Sequence, residues 1–402
     1  RTLASGHQLL EAALEELPSE QPLPGSVAFK LHDTYGFPIE LTSEIAAEND
    51  VEVDFDTFNE EMAAQRERAR KEWKGGDAAA LGGFYRDVLD SAGLTEFVGY
   101  SEPTATGTIL AIVRDGEMID RADHGSEVEV FVDRTPFYAE SGGQVGDNGT
   151  LRTGTGDVSV SDTQHALQGL HGHRGLVVSG EIQVGQEVEL VIDEPRRDRI
   201  RKSHTGTHVL HWALREVLGE HANQAGSLVE SGRLRFDFSH FSATSETELR
   251  EIEALANTRL IDNDQVATTV TSQDEAKKMG ALAFFGDKYG ETVRVVKVGD
   301  FSVEFCGGTH TSTAGEVGPL IVTSESSIGS NIRRVEALTG TAAYDHLVDL
   351  RASLDSVGGM LRAPAREIPE RVRGLMGRIE SLEEQIETMR SERRGELGAE
   401  LA

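Results

Sequence analysis

The chain has 402 residues, with 39 Lys and Arg against 69 Asp and Glu, a formal net charge of −30 and a single cysteine. That length suits two or three domains of roughly 150 residues, each able to bury its own core. A lone Cys306 excludes a disulfide framework and fits a reducing compartment. No apolar run approaches the roughly 18 residues needed to cross a bilayer, and no signal-peptide pattern opens the chain. A soluble, cytoplasmic protein with no membrane partner is expected. The chain opens on Arg1 in a helical pattern, as expected of a portion of a longer polypeptide. So negative a total repels polyanions at long range, but binding depends on local patches. Arg196, Arg197, Arg199, Arg201 and Lys202 put five cations in seven residues, and Arg333–Arg334 form a second cluster.

In chain order, residues 1–75 read as helical apart from the proline-rich stretch Pro18 to Pro24, with Thr42 or Ser43 as a helix cap and a charged run from Glu60 to Trp73. Gly75-Gly76 and Gly82-Gly83 punctuate a linker over residues 76–103. Over 104–194 the pattern changes to short strands: 108–113 before the turn Asp115-Gly116, an alternating 127–132, then 157–160, 176–178 and 188–192. Strands at that spacing predict a small β-barrel. Pro195 opens a helix that Gly219 closes. Residues 195–340 then mix strands (233–238, 292–298, 301–305) with helices (245–257, 273–279), an α+β domain. In 341–402, Ile368, Val372, Leu375, Ile379, Leu382, Ile386 and Met389 recur in heptad steps. They predict a coiled coil or a hairpin with a helix at 341–357. The fold class expected is α+β multidomain.

One constellation carries chemistry. His204 and His208 stand at i, i+4, so both imidazoles leave one helix face a turn apart. About a hundred residues later, Cys306-Gly307-Gly308-Thr309-His310 ends a strand, its two glycines letting Cys and His fold back towards one point. A His₃Cys set, or three of those four plus water, suits one Zn²⁺ per chain. Thr205 stands where a metalloprotease of the HExxH type would carry its general base, so that chemistry is excluded. His211, at i+7, reads as packing. Gly142-Gly143-Gln144 reads as a glycine-rich turn between barrel strands. His171-Gly172-His173 places two imidazoles on one side of a strand with no third partner nearby, so no metal is expected there.

These residues resemble the alanyl-tRNA synthetases of bacterial type, through HTGTH (204–208), QAGSLV (224–229), RLRFDF (233–238), CGGTH (306–310), FYAESGGQVGD (137–147) and FKLHDTYGFP (29–38), in the family's order. The resemblance implies a fragment. Its class II aminoacylation core would precede Arg1, residues 1–75 would end the tRNA-recognition region, 104–340 would be an editing domain and the remainder an oligomerising coiled coil. Editing in this family hydrolyses Ser-tRNA(Ala) or Gly-tRNA(Ala). The resemblance further implies that Gln224 lies beside the attacked ester and that Thr207 offers its hydroxyl to a serine side chain. It makes Asp33 a contact to the G·U wobble pair of tRNA(Ala), with Arg333 and Arg334 near the tRNA end or backbone. Zinc would activate water if one position stayed open, or anchor the tRNA 3′ end if all four donors were engaged; the second is favoured. Two alternatives stand beside this reading. One is a freestanding trans-editing deacylase. The other is a non-catalytic tRNA-binding and dimerisation module with structural zinc.

Overall fold

A computed structural model describes residues 77–283, 290–329 and 331–400 continuously, residues 21–35, and scattered positions from 10 to 62. It divides into two compact units. The first comprises residues 1–141, 145–194 and 327–332; the second comprises 142–144, 195–326 and 333–402.

In the first unit, helix α1 (Gly25–Tyr35) lies in the apolar segment around Leu10, Leu23 and Leu31. Thr42 and Ser43 are themselves helical, and most of 60–73 falls outside the described residues. The stretch expected to be a linker contains helix α2 (Asp77–Ala92) instead. Its glycine pair sits mid-helix, where glycine costs about 1 kcal/mol relative to alanine. Phe84, Tyr85, Val88 and Leu89 outweigh that cost by packing on Ala111, Val113, Phe131 and Leu170.

The strands that follow are β1 (Glu96–Phe97), β2 (Thr104–Arg114), β3 (Glu117–Ile119), β4 (Arg121–Asp123), β5 (Glu127–Val132), β6 (Arg134–Thr135), β7 (Gly149–Thr153), β8 (Gly156–Leu167), β9 (Leu170–Gln183) and β10 (Glu187–Ile192). Six of them close a ring in the order β10-β7-β8-β9-β5-β2 and back to β10. Each pairing in that ring is antiparallel. The expected barrel is present, with longer strands than the pattern gave. Asp115 (φ 54°) and Gly116 (φ 80°) take the left-handed conformations that a tight hairpin between β2 and β3 requires. Alternate residues point inward, so Ile109, Val130, Leu151, Val158, Val177 and Leu190 fill the barrel.

The second unit begins with helix α3 (Glu194–Leu218), ended by Gly219 at φ 108°. Strands β11 (Gln224–Glu230) and β12 (Arg233–Ser239) follow, then α4 (Glu246–Asp262), capped by Ser245, then β13 (Val266–Ser272), α5 (Gln273–Lys278), β14 (Thr292–Val298), β15 (Ser302–Phe305), β16 (Leu320–Gly329) and β17 (Ile332–Thr339). They form a four-stranded sheet, β11-β12-β17-β16, and a three-stranded sheet, β13-β14-β15. Val209, Leu210, Ala213 and Leu214 of α3 meet Phe236, Phe238, Ile252 and Val335 in one core. Each fully buried Val, Leu, Ile or Phe side chain there contributes roughly 1.5–3 kcal/mol.

Helices α6 (Gly340–Leu361) and α7 (Ile368–Glu400) end the described chain. The heptad residues fall on α7 as expected. After Ile368 they are exposed, between 38 and 59 % from Val372 to Met389, so α6 does not cover the seam as a hairpin would. The seam's last residues lie roughly five to six turns along α7 from its start, far from the place where Ile368 packs near Gly358.

Candidate metal centre

The side chains predicted to bind metal come together. Helix α3 presents His204 and His208 with parallel rings, centroids 5.5 Å apart. Just past β15, Cys306 and His310 reach the same point, and the four donor atoms lie within 4.8 Å of one another. Cys306 Sγ is 3.3 Å from Nε2 of His204 and 3.3 Å from Nε2 of His310. Neither nitrogen of buried His208 makes a well-aligned hydrogen bond among the described residues; Nδ1 has the ion-pair contact to Glu304, and Nε2 has no such partner. A buried ring nitrogen left unpaired beside a sulfur and two further imidazoles fits a soft, four-donor cation such as Zn²⁺.

Each imidazole is held from behind. His204 Nδ1 is 2.7 Å from Gln144 Oε1, His208 Nδ1 2.8 Å from Glu304 Oε2, and His310 Nδ1 3.3 Å from Thr205 Oγ1. This outer contact is what directs a ligating histidine's other nitrogen towards a metal. The sequence reading missed all three partners. In the sequence Thr205 serves only to exclude a protease, and Gln144 stands in a turn within the FYAESGGQVGD stretch. The turn is real, with Gly142 and Gly143 at positive φ, but its last side chain is fully buried against His204. His211, read as packing, is also a polar partner, with Nδ1 3.0 Å from Glu304 Oε1.

The loop between Cys306 and His310 is tightly held. Arg294 Nη1 donates to Cys306 O at 2.9 Å and to Gly308 O at 2.8 Å, and Gly308 N donates to Cys306 Sγ at 3.4 Å. A Cβ at Gly308 would fall within the His204 ring, whereas one at Gly307 meets nothing. Only the second glycine is required by close approach.

The electrostatics follow from burial. Burial opposes charge on His208, but Glu304 outweighs it and raises its pKa to about 10. Burial alone would raise the Glu304 pKa; His208 and His211 bring it far below the usual range instead. Cys306 is likewise lowered despite burial, by His204 and His310. Burial lowers His310 to about 3, against the pull of Cys306.

The remaining predicted residues are placed less simply. Thr207 is buried beside the ligands, its Oγ1 donating to Ser203 O at 2.8 Å. Gln224 begins β11 at a bulge, its Nε2 donating to Ser227 Oγ at 3.1 Å. Arg333 is bidentate to Glu325 (2.6 and 2.7 Å) and Arg334 to Asp237 (2.7 and 2.8 Å), so both guanidinium groups already hold carboxylates. Asp33 lies on α1, its side chain outside the described residues. In the basic run, Arg197 is fully buried, Arg199 donates to Ser231 Oγ and Arg201 pairs with Asp198.

In the barrel, His165 faces His171 across the β8–β9 hairpin, ring centroids 4.7 Å apart, so a third histidine does lie near the pair at 171 and 173. Both nitrogens of His173 are nonetheless occupied, by Val130 O at 2.9 Å and Thr135 Oγ1 at 2.7 Å. Among the described residues, only the cluster at 204, 208, 306 and 310 has metal-binding geometry.

Two family models match the chain: class II (A) tRNA synthetases over residues 1–196, and the second additional domain of threonyl and alanyl tRNA synthetases over 293–336. Alanine–tRNA ligases of Desulforamulus reducens and Acetivibrio thermocellus are each 43 % identical over 97 % of the chain, covering 45 % and 44 % of those proteins. The enzyme of Geobacillus kaustophilus is 44 % identical over 96 % of the chain and 44 % of its own length. The chain therefore spans a little under half the length of the relatives it matches. With 43 % identity along 97 % of the chain and two synthetase models matched in order, the chain belongs to the alanyl-tRNA synthetase family.

Proposed function

We propose that this chain is the proofreading portion of an alanine–tRNA ligase and hydrolyses the ester of Ser-tRNA(Ala) or Gly-tRNA(Ala). The observation that carries the reading is the convergence of His204, His208, Cys306 and His310, the last two inside residues 293–336, which match the second additional domain. These four would hold one zinc ion, which when bound supplies a fixed positive charge for the tRNA 3′ end. A full set of protein donors favours that anchoring over activation of water.

An aminoacyl ester is already activated, so its hydrolysis needs a placed water and a partner for the developing oxyanion. The Gln224 amide orients the water through Oε1 while Nε2 rests on Ser227. Thr207 has donated its own proton to Ser203 O, so its oxygen accepts from a serine hydroxyl. An alanyl ester lacks that hydroxyl and leaves the pocket unpaired, which is the basis of discrimination. Asp33 accepts from the exposed guanine amine of the G·U pair. Arg333 and Arg334 reach phosphate only by exchanging their carboxylate partners. With a net charge of −30, tRNA affinity should fall steeply with salt. Ligation belongs to the rest of the protein, oligomerisation to the exposed α7 seam, and the setting is the cytoplasm.

The complete donor set equally suits a second reading, a purely structural zinc in a tRNA-binding module. Deacylation of Ser-tRNA(Ala) and Ala-tRNA(Ala), with and without a chelator, separates the two. Serine release that spares alanine, stops on chelation and drops in Gln224→Ala without a change in melting supports hydrolysis. A folded, zinc-loaded chain that releases neither amino acid sinks it.

A further inference from the structure

We propose that Gln144 is a positioning residue of the metal centre, fixing which nitrogen of His204 faces the metal. The inference rests on the four donors holding a metal and not on the reaction they serve. A side-chain amide can be turned either way, but here its orientation is forced. Thr309 N is a backbone donor with nothing to accept, and it lies 2.9 Å from Gln144 Oε1, so the oxygen must face it. The amide nitrogen then donates to Thr309 Oγ1 at 3.0 Å. That same Oε1 is 2.7 Å from His204 Nδ1. An oxygen that only accepts requires the imidazole proton on Nδ1. The lone pair is thereby left on Nε2, the nitrogen 3.3 Å from Cys306 Sγ.

Gln144 also joins two ligand-bearing segments, since His204 belongs to α3 and Thr309 to the loop that carries Cys306 and His310. Its own backbone is anchored next door, where Gly143 O accepts from Val229 N of β11 at 2.7 Å. A Cβ at Gly143 would strike Ser227 Oγ and its backbone, so the segment lies directly against β11 with no room for a side chain between them. The amide is fully buried, so water does not replace it when it is removed.

The test is zinc affinity of the full chain, by competition with a chromophoric chelator, for the parent, Gln144→Leu and Gln144→Glu. Loss of an outer-shell partner typically weakens binding roughly 10- to 100-fold. Gln144→Leu should show that loss, with altered cobalt(II) absorption. Gln144→Glu, which keeps an acceptor facing His204 Nδ1, should restore affinity and spectrum. Parental affinity in Gln144→Leu, or equal weakening in both variants, overturns the proposal, the latter because it points to packing alone. A second measurement needs no variant: in the ¹⁵N-histidine-labelled, zinc-loaded parent, His204 must carry its proton on Nδ1. A proton on Nε2, or a parent chain that binds no zinc, is equally fatal.

Discussion

Two of the histidine clusters among the described residues do opposite things. In the barrel, His173 spends one nitrogen on Val130 O and the other on Thr135 Oγ1, so the buried Nδ1 of His171 has no second donor from His173 to share a metal with. Beside α3, each imidazole has its Nδ1 within 3.3 Å of an outer side chain, and the Nε2 atoms of His204 and His310 meet at Cys306. Spacing alone makes both clusters candidates. What separates them is the partner of the second nitrogen.

The largest expected effect tests that contrast directly. Cys306→Ala should take bound zinc from one per chain to none while the barrel stays folded. Zinc that persists until His171 is also replaced would reverse the assignment.

pH should separate the clusters next. With no metal bound, His208 holds its proton up to about pH 10 through Glu304, whereas His310 (about 3) stays neutral. Zinc must displace that one proton, so affinity should rise about tenfold per pH unit from 7 towards 10. The metal-free fold responds in the other sense. His208 is raised above its unfolded value of 6.5, so its contribution is complete below 6.5 and disappears as pH rises through about 10. His310, His171 and His173 are depressed to about 3, 3 and 4, so stability falls as pH drops below 6.5. Glu304, depressed from 4.5, adds a further loss in acid. The metal-binding unit should therefore be most stable near pH 6.5. These histidines leave the barrel level above that pH. Melting followed by Trp212 fluorescence in a Trp73→Phe background reads the second unit separately from the first, and a flat response above pH 6.5 would contradict the His208–Glu304 pairing.

Smaller still, Gly308→Ala should cost about 1–3 kcal/mol by forcing a methyl group into His204, with weaker zinc binding. Gly307→Ala, in open space, should change neither quantity. Last, His173→Phe should lower barrel stability by about 1–2 kcal/mol through two lost hydrogen bonds and leave zinc content untouched.

The four donors were legible because their chemistry is written in short-range spacing. Their supports were not. Glu304 is one of 69 acidic residues, and only the pairing of β15 with β14 turns it inward between His208 and His211. Gln144 lies sixty residues from His204, in a stretch whose glycines announce a turn and nothing about what the turn delivers. Helix α2 was hidden by the same residue type, because Gly82-Gly83 looks like a connection until Phe84, Tyr85 and Val88 are seen to pack. His165 could have been placed opposite His171 from the hairpin at Gly169, which the period-two pattern alone left unregistered.

The closed ring of strands also sets an order of assembly. Its last pairing, β10 on β2, joins Glu187 to Thr108, so the barrel has all its strands once the chain has emerged to Ile192. His204 and His208 follow within a few turns of α3, but Cys306 and His310 arrive about a hundred residues later. On a ribosome that folds domains from the N-terminal side, the barrel is complete while the metal site is still half made. Capture of a metal by these four donors would thus come after the barrel is complete but before β16 and β17, which follow His310, have joined the sheet of the second unit.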